Sequence, residues 1–305
     1  MQGTVDGFRY GAVTPVAAYL IACLGSALGL RCVVRSMRNE LSWKPGWLAL
    51  GAASIGCGIW TMHFIAMVGF RVEETRIRYD VGLTVLSLAV AVAVVGVGVF
   101  AVGYRGATGA SLLTAGMVTG LGVAAMHYMG MSALKLNGSI QYDPVTVALS
   151  VVIAVVAATA ALWAAVSIRG FLPALGASLV MGVAVSGMHY TGMAAVDVHL
   201  HGSPDGSFTG DSPTSLLLPM LIGPFIFLVL AGVVVMFDPL LVLGDGDWSS
   251  RPTPRQRAAA DRGKRPGPHP SAQWVAHSDS LFGPSTNRVR HPRDRREAEA
   301  HIEER

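Results

Sequence analysis

Apolar residues in this chain come in long blocks separated by short polar connections. Seven such blocks stand out, at residues 11–34, 46–70, 81–103, 107–134, 144–168, 172–196 and 215–237. Each reaches the roughly 20 residues that a helix needs to cross a bilayer. None shows the two-residue alternation of a lipid-facing barrel strand, and backbone inside hydrocarbon must satisfy its own hydrogen bonds, so each block predicts a helix. The predicted fold class is therefore all-α, an integral membrane bundle of seven helices over residues 11–237, preceded by a short outer N-terminus at 1–10. Gly and Ala within the blocks suit close helix contact, while the Val-rich third and fifth blocks read as filler. The first block can itself direct insertion, so no removable signal peptide is expected.

Composition agrees with a membrane protein: 52% of residues are apolar and 14% charged, too greasy for an ordinary soluble domain. The pattern ends near Asp238-Pro239, and residues 238–305 carry 12 basic and 10 acidic side chains among many Pro, Gly and Ser. Such a stretch predicts a disordered cytoplasmic tail, with anionic lipid headgroups as partner and no reader of nucleic acid. No catalytic signature is visible in it. Connections one, three and five hold Arg31, Arg35, Arg38, Lys44, Arg105 and Arg169, against Arg9, Arg71, Arg76, Arg78 and Lys135 on the other side. With Arg251, Arg255 and Arg257 after the last block, this bias predicts an outside N-terminus and a cytoplasmic C-terminus. Cys23, Cys32 and Cys57 lie in or beside the blocks, which argues against a disulfide framework and for small buried hydrophobes.

One pattern recurs inside three of the blocks: Thr61-Met62-His63-Phe64-Ile65-Ala66-Met67, Ala125-Met126-His127-Tyr128-Met129-Gly130-Met131 and Gly187-Met188-His189-Tyr190-Thr191-Gly192-Met193. The histidines are 64 and 62 residues apart, about two crossings, so all three return to the same side of the membrane. Aligned on histidine, the copies share glycine seven before (Gly56, Gly120, Gly182), methionine one before (Met62, Met126, Met188) and methionine four after (Met67, Met131, Met193). At about 100° per residue, positions minus seven, zero and plus four fall on one stripe. Glycine then admits a neighbouring helix while histidine and methionine face the gap. A charge eight residues beyond each histidine (Arg71, Lys135, Asp197) predicts a depth of roughly 12 Å inside the outer interface.

An ionisable side chain at that depth is costly unless paired, hydrated or metal-bound. Imidazole with thioether is a soft to borderline donor set, which favours copper over magnesium or calcium and leaves zinc and iron open through nitrogen alone. Methionine as core filler and histidine bonded to a carbonyl would explain one copy, but three copies with the stripe retained point to binding. Asp197, His199, His201, Asp205 and Asp211 form an expected polar outer loop of about 18 residues before the seventh block. Haem binding is a weaker alternative, since no c-type attachment signal is present. A retinal pigment is disfavoured because residues 215–237 contain no lysine for a Schiff base. A copper transporter would need ligands through both leaflets, and the inner halves offer only scattered candidates such as Met181 and Met236.

The strings Met126-His127-Tyr128-Met129 and Met188-His189-Tyr190-Thr191, on the fourth and sixth blocks with a variant on the second, resemble the MHYT family of bacterial membrane sensors across 11–237. The resemblance implies a seven-helix module whose Met, His and Tyr residues near the outer face are proposed to bind copper and through it sense a diatomic gas (O2, CO or NO). Carried over by position, it implicates Met62, His63, Met126, His127, Tyr128, Met188, His189 and Tyr190; the helical stripe adds Met67, Met131 and Met193. The first copy departs from the motif with Phe64 in place of tyrosine. Tyr128 and Tyr190 are expected to support the cofactor site as hydrogen-bond partners rather than ligands. Family members are often fused to domains that make or degrade cyclic diguanylate. None is recognised here, so the reading is a sensor without enzymatic output that signals to a cytoplasmic partner.

Overall fold

The computed structural model describes residues 3–6, 10–38, 43–73, 75, 77–106, 108–168, 170–200 and 213–238. All belong to one unit, Met1–Gly246. The expected tail beyond Asp238 lies outside the described residues. Seven helices appear where the apolar blocks predict them: α1 Val13–Arg38, α2 Lys44–Val68, α3 Val81–Arg105, α4 Gly109–Ser132, α5 Pro144–Ser167, α6 Phe171–Ala194 and α7 Pro213–Met236. All seven contain a span long and apolar enough to cross a membrane. The chain is a multi-pass membrane protein.

Helices α1 to α6 form a closed ring, each packed on the next and α6 back on α1, while α7 leans on α2 and α1. Ring closure depends on the glycines seven residues before the histidines. A Cβ on Gly56 would sit 2.8 Å from the Val92 Cα of α3, one on Gly120 would sit 2.4 Å from the Val155 Cα of α5, and one on Gly182 would sit 2.4 Å from the Cys23 Sγ of α1. Each even-numbered helix thus presses its bare backbone on an odd-numbered neighbour, as small-residue packing in lipid requires.

The connections are more ordered than a reading of polar loops implies. Short strands pair antiparallel as β1 (Val5–Asp6) with β2 (Arg71–Val72), β3 (Arg78–Tyr79) with β4 (Leu134–Lys135), and β5 (Gly138–Tyr142) with β6 (Val196–Leu200). Each of the last two pairs ties the connection of one repeat to that of the next. The N-terminal segment closes the circuit, since Gly3 N–H donates to the Val198 carbonyl at 2.9 Å while β1 pairs with β2. Strands β2 to β6 follow α2, α4 and α6 and lie at the ends where those helices finish, and β1, from before α1, joins them there. Asp197 and His199, expected in a loop, are therefore strand residues of β6; His201, Asp205 and Asp211 lie outside the described residues.

The same bonds fix the starts of α3 and α5. Asp80 accepts from Leu83 N–H at 3.0 Å and Asp143 from Thr146 N–H at 2.8 Å, each filling an orphan donor of a first helical turn. Their own N–H groups donate to the carbonyls of Ala133 and Ala195, the residues that cap the ends of α4 and α6. The Thr146 hydroxyl and N–H hold the Asp143 carboxyl below the usual carboxylate range. At the other end of the bundle, Arg35 of α1 pairs with the buried Asp238 just after α7 and lies over the Trp47 ring of α2.

The contact at Gly120 leaves no room for a methyl group, because the opposing atoms are backbone. Gly120→Ala should lower stability by about 1–3 kcal/mol as an overpacked contact. Gly187→Ala, whose added Cβ meets nothing within 4 Å, should leave it unchanged or raise it slightly. Thermal unfolding of the detergent-solubilised variants checks the contrast.

Candidate metal centre

His63, His127 and His189 sit on α2, α4 and α6, and each stands five residues before its helix ends at Val68, Ser132 and Ala194. That spacing corrects the expected depth. The charges eight residues on (Arg71, Lys135, Asp197) belong to β2, β4 and β6, so the histidines lie about 7.5 Å inside the helix ends, at 1.5 Å per residue. Above them is a layer of paired strands rather than a further turn of helix.

The ring closure brings the three imidazoles together on its axis. Their Nδ1 atoms lie 3.1 Å (His63 to His127), 3.1 Å (His63 to His189) and 3.3 Å (His127 to His189) apart. The rings stand nearly perpendicular in pairs, with centroids 4.9 to 5.1 Å apart and interplanar angles of 82° to 84°. All three side chains are at most 1% exposed. They form the one group of three or more His, Cys, Asp or Glu among the described residues with the geometry to hold an ion.

Three neutral imidazoles in this arrangement do not satisfy one another. Each ring has one N–H and one lone pair. If all three Nδ1 atoms are bare, three lone pairs face each other; if all carry hydrogens, the hydrogens crowd the same point. In a mixed set of tautomers one Nδ1–H can reach a neighbour's lone pair, but the three nitrogens cannot all be fully paired by one another. The Nε2 atoms of His63 and His127 are buried without a hydrogen-bond partner, an uncommon condition for polar atoms. A cation would resolve the centre by accepting all three lone pairs. The centre of a triangle with these sides lies about 1.8 Å from each nitrogen, close to the roughly 2.0–2.1 Å of a metal–imidazole bond, so His63, His127 and His189 could hold an ion between them. The donor set fits a borderline or soft ion.

What orients the rings is packing. Phe64, Tyr128 and Tyr190, each following its histidine, meet the imidazole edge to face at centroid distances of 4.7, 4.9 and 5.0 Å. The Tyr128 hydroxyl, expected to support the histidine, donates instead to Ser150 Oγ of α5 at 2.7 Å, and that serine in turn donates to the Val147 carbonyl. In the first repeat the equivalent serine, Ser87, donates to the Thr84 carbonyl and accepts from the Trp60 indole N–H at 2.9 Å. The phenol missing at Phe64 is thus replaced by an indole one turn earlier on the same helix.

A second small-residue position completes the site. A Cβ on Gly130 of α4 would fall 2.5 Å from His63 Nε2, and one on Gly192 of α6 would fall 2.5 Å from His127 Nε2. Both glycines stand three residues after their own histidine, where the first copy has the buried Ala66. The second and third repeats therefore each make room for the imidazole of the preceding one. This was legible as a small residue at plus three in every copy, although only minus seven, minus one and plus four draw attention as identities. Met62, Met126 and Met188 are at most 2% exposed; Met67 and Met131 are equally buried, and Met193 is partly exposed. Cys57 packs with Leu28, Cys32 and Leu228, away from the histidines.

Gly130→Ala should turn the His63 ring out of the triangle while leaving the helix intact. Imidazole nitrogen NMR of histidine-labelled protein should show displaced His63 resonances in this variant, and unchanged ones in Gly187→Ala.

The profile described as "Bacterial signalling protein N terminal repeat", MHYT, matches residues 56–115, 120–178 and 182–244. Each match begins at the glycine seven residues before a histidine. Among curated proteins, the chain is 40% identical to the "Bifunctional diguanylate cyclase/cyclic di-GMP phosphodiesterase MucR" of Pseudomonas aeruginosa, over 66% of this chain and 29% of that protein. It is 33% identical to the "Cyclic di-GMP phosphodiesterase NbdA" of the same organism, over 92% of this chain and 36% of that protein. It is 31% identical to the "Signaling protein YkoW" of Bacillus subtilis, over 65% of this chain and 25% of that protein. The chain thus spans little more than a third, at most, of the length of these relatives, and no solved structure matches it. With its three repeats, its seven spans and its histidine on every even-numbered helix of the ring, the chain belongs to the MHYT family of bacterial signalling proteins.

Proposed function

We propose that the domain is a membrane sensor that holds one copper ion through the Nδ1 atoms of His63, His127 and His189, and responds to a diatomic gas or to redox state. The observation that carries this reading is the convergence of three buried nitrogens on one point, at distances that suit an ion and leave neutral imidazoles unsatisfied. A bound copper would supply a one-electron couple and coordination positions open to a small ligand. The protein's own contribution is to exclude water and to fix the ring planes by the edge-on aromatics, within a core that also holds Met62, Met67, Met126, Met131 and Met188, with Met193 packed against it. Zinc or haem iron would be the next candidates by donor set.

A conduit for copper is disfavoured. One turn inward from the histidines the same helices carry Ile59, Val123 and Val185, which offer an ion nothing to bind. The charge bias of the connections supports a histidine layer near the outer face and a C-terminus in the cytoplasm. Relatives whose names join them to cyclic di-GMP chemistry support a signal passed inward through α7 to that chemistry, on this polypeptide or on a partner.

Purified, detergent-solubilised protein should retain one copper per chain. Replacing any one histidine by alanine should weaken retention at least tenfold, whereas Met67→Leu or Met131→Leu should preserve folding and shift the copper potential, and Tyr128→Phe should do less than either. A folded triple-histidine variant that keeps its copper would sink the reading. For orientation, a reporter active only in the cytoplasm should work when fused after Phe237 and fail when fused after Arg76; the reverse would place the site at the inner face.

A further inference from the structure

Inward of the histidines the bundle axis is hollow. A cavity of about 60 Å³ lies between the six ring helices. From the even-numbered helices its walls take Ile59, Val123 and Val185, four residues before the histidines, and Ile55, Thr119 and Met181, eight before. Two successive helical layers beneath the imidazoles therefore line it, starting about 6 Å inward at 1.5 Å per residue. Met188, the residue before His189, is also in the wall.

Part of its wall differs between equivalent helices. Asp80 and Asp143 cap α3 and α5 in the same way and are 63 residues apart. At that offset, Val94 and Val95 of α3 correspond to Ala157 and Ala158 of α5, and both alanines line the cavity. Four methyl groups present in one repeat are missing in the other. The walls are otherwise hydrocarbon and thioether but for two hydroxyls, Ser26 and Thr119, and the Thr119 hydroxyl already faces the Val94 carbonyl at 3.4 Å. A buried water needs two to four polar partners, so a void of this lining stays dry and favours apolar guests. One water-sized probe takes about 10–15 Å³ on this measure, which leaves space for a guest of two or three heavy atoms.

We propose that this cavity is a binding site for a small uncharged apolar molecule, a diatomic gas or a noble-gas atom, reached from the membrane interior and set one helical turn beneath the histidines. Such molecules concentrate in hydrocarbon, whereas the opposite side of the histidine layer is roofed by paired strands. The role of the cavity in sensing rests on the metal reading above; its occupancy does not.

The test uses xenon as the probe and the full chain in detergent, labelled with methyl-13C methionine, both metal-free and copper-loaded. Met181 and Met188 methyl resonances should shift saturably with xenon pressure, while lipid-exposed Met236, 73% exposed, should respond only linearly, as dissolved xenon in the micelle dictates. Ala158→Leu should abolish the saturable shift and keep copper content. Ala158→Val, which installs the residue that α3 already carries, should reduce the shift and guards against a folding failure of the larger change. A purely linear response at Met181 and Met188, or saturation undiminished in both Ala158 variants, overturns the site. Saturation in protein that retains no copper upholds the cavity and removes the metal reading; copper retention without saturation does the reverse.

Discussion

Three imidazole nitrogens held 3.1–3.3 Å apart inside an apolar bundle form the constraint on which the rest of this structure turns. Polar rings so placed are costly in hydrocarbon, and they meet only if three helices separated by intervening helices converge on one axis. The bundle achieves this with bare backbone. Gly56, Gly120 and Gly182 bring each even-numbered helix onto its odd-numbered neighbour, and Gly130 and Gly192 clear the space into which the imidazoles turn. The strand pairs and the Asp80 and Asp143 caps then lock the ends of those helices in register, so the histidines share a depth.

The three repeats are alike at this centre and differ around it. Copy one replaces a phenol by Phe64 and sends the Trp60 indole to the serine that tyrosine serves in copy two. It also has Ala66 where the others have glycine. Copy two carries Ala157 and Ala158 on α5 where α3 has valines, and both alanines line the cavity. The strand circuit is completed by a segment from before the first helix, since Gly3 to Asp6 joins β6 and β2. Duplication supplied the symmetry, and local substitutions made the domain one-sided.

Helix α7 lies apart from this symmetry. It packs Leu228, Ala231 and Val235 on Leu28, Cys32 and Cys57 of α1 and α2, and at its end the buried Asp238 pairs with Arg35, which also covers Trp47. In low dielectric, separating such a pair is expensive because either charge left alone is unsolvated. The end of α7 is thereby tied to α1 and α2, and α2 carries His63.

The sequence alone determined the seven helices, because hydrocarbon admits little else and the length of each apolar block matches the bilayer. It also determined the repeat, the shared side of the membrane and the identity of the three histidines, since helical periodicity and spacing are local properties. Tertiary structure decided what those residues do together. The Nδ1 atoms, rather than Nε2, converge because each ring packs edge to face on the aromatic that follows it, while the bare backbone of Gly130 and Gly192 in the next repeat leaves room for the Nε2 edges of His63 and His127. The Tyr128 hydroxyl went to Ser150, and the Val-rich α3 and α5, which look like filler, proved to carry Ser87, Ser150 and the wall of the cavity. The polar connections became paired strands because a partner far along the chain supplied their hydrogen bonds, as between Tyr79 and Leu134 or Gln141 and Asp197. Local pattern fixes which face of a helix is special; which neighbour meets that face depends on how the ring closes, and that is a property of the whole chain.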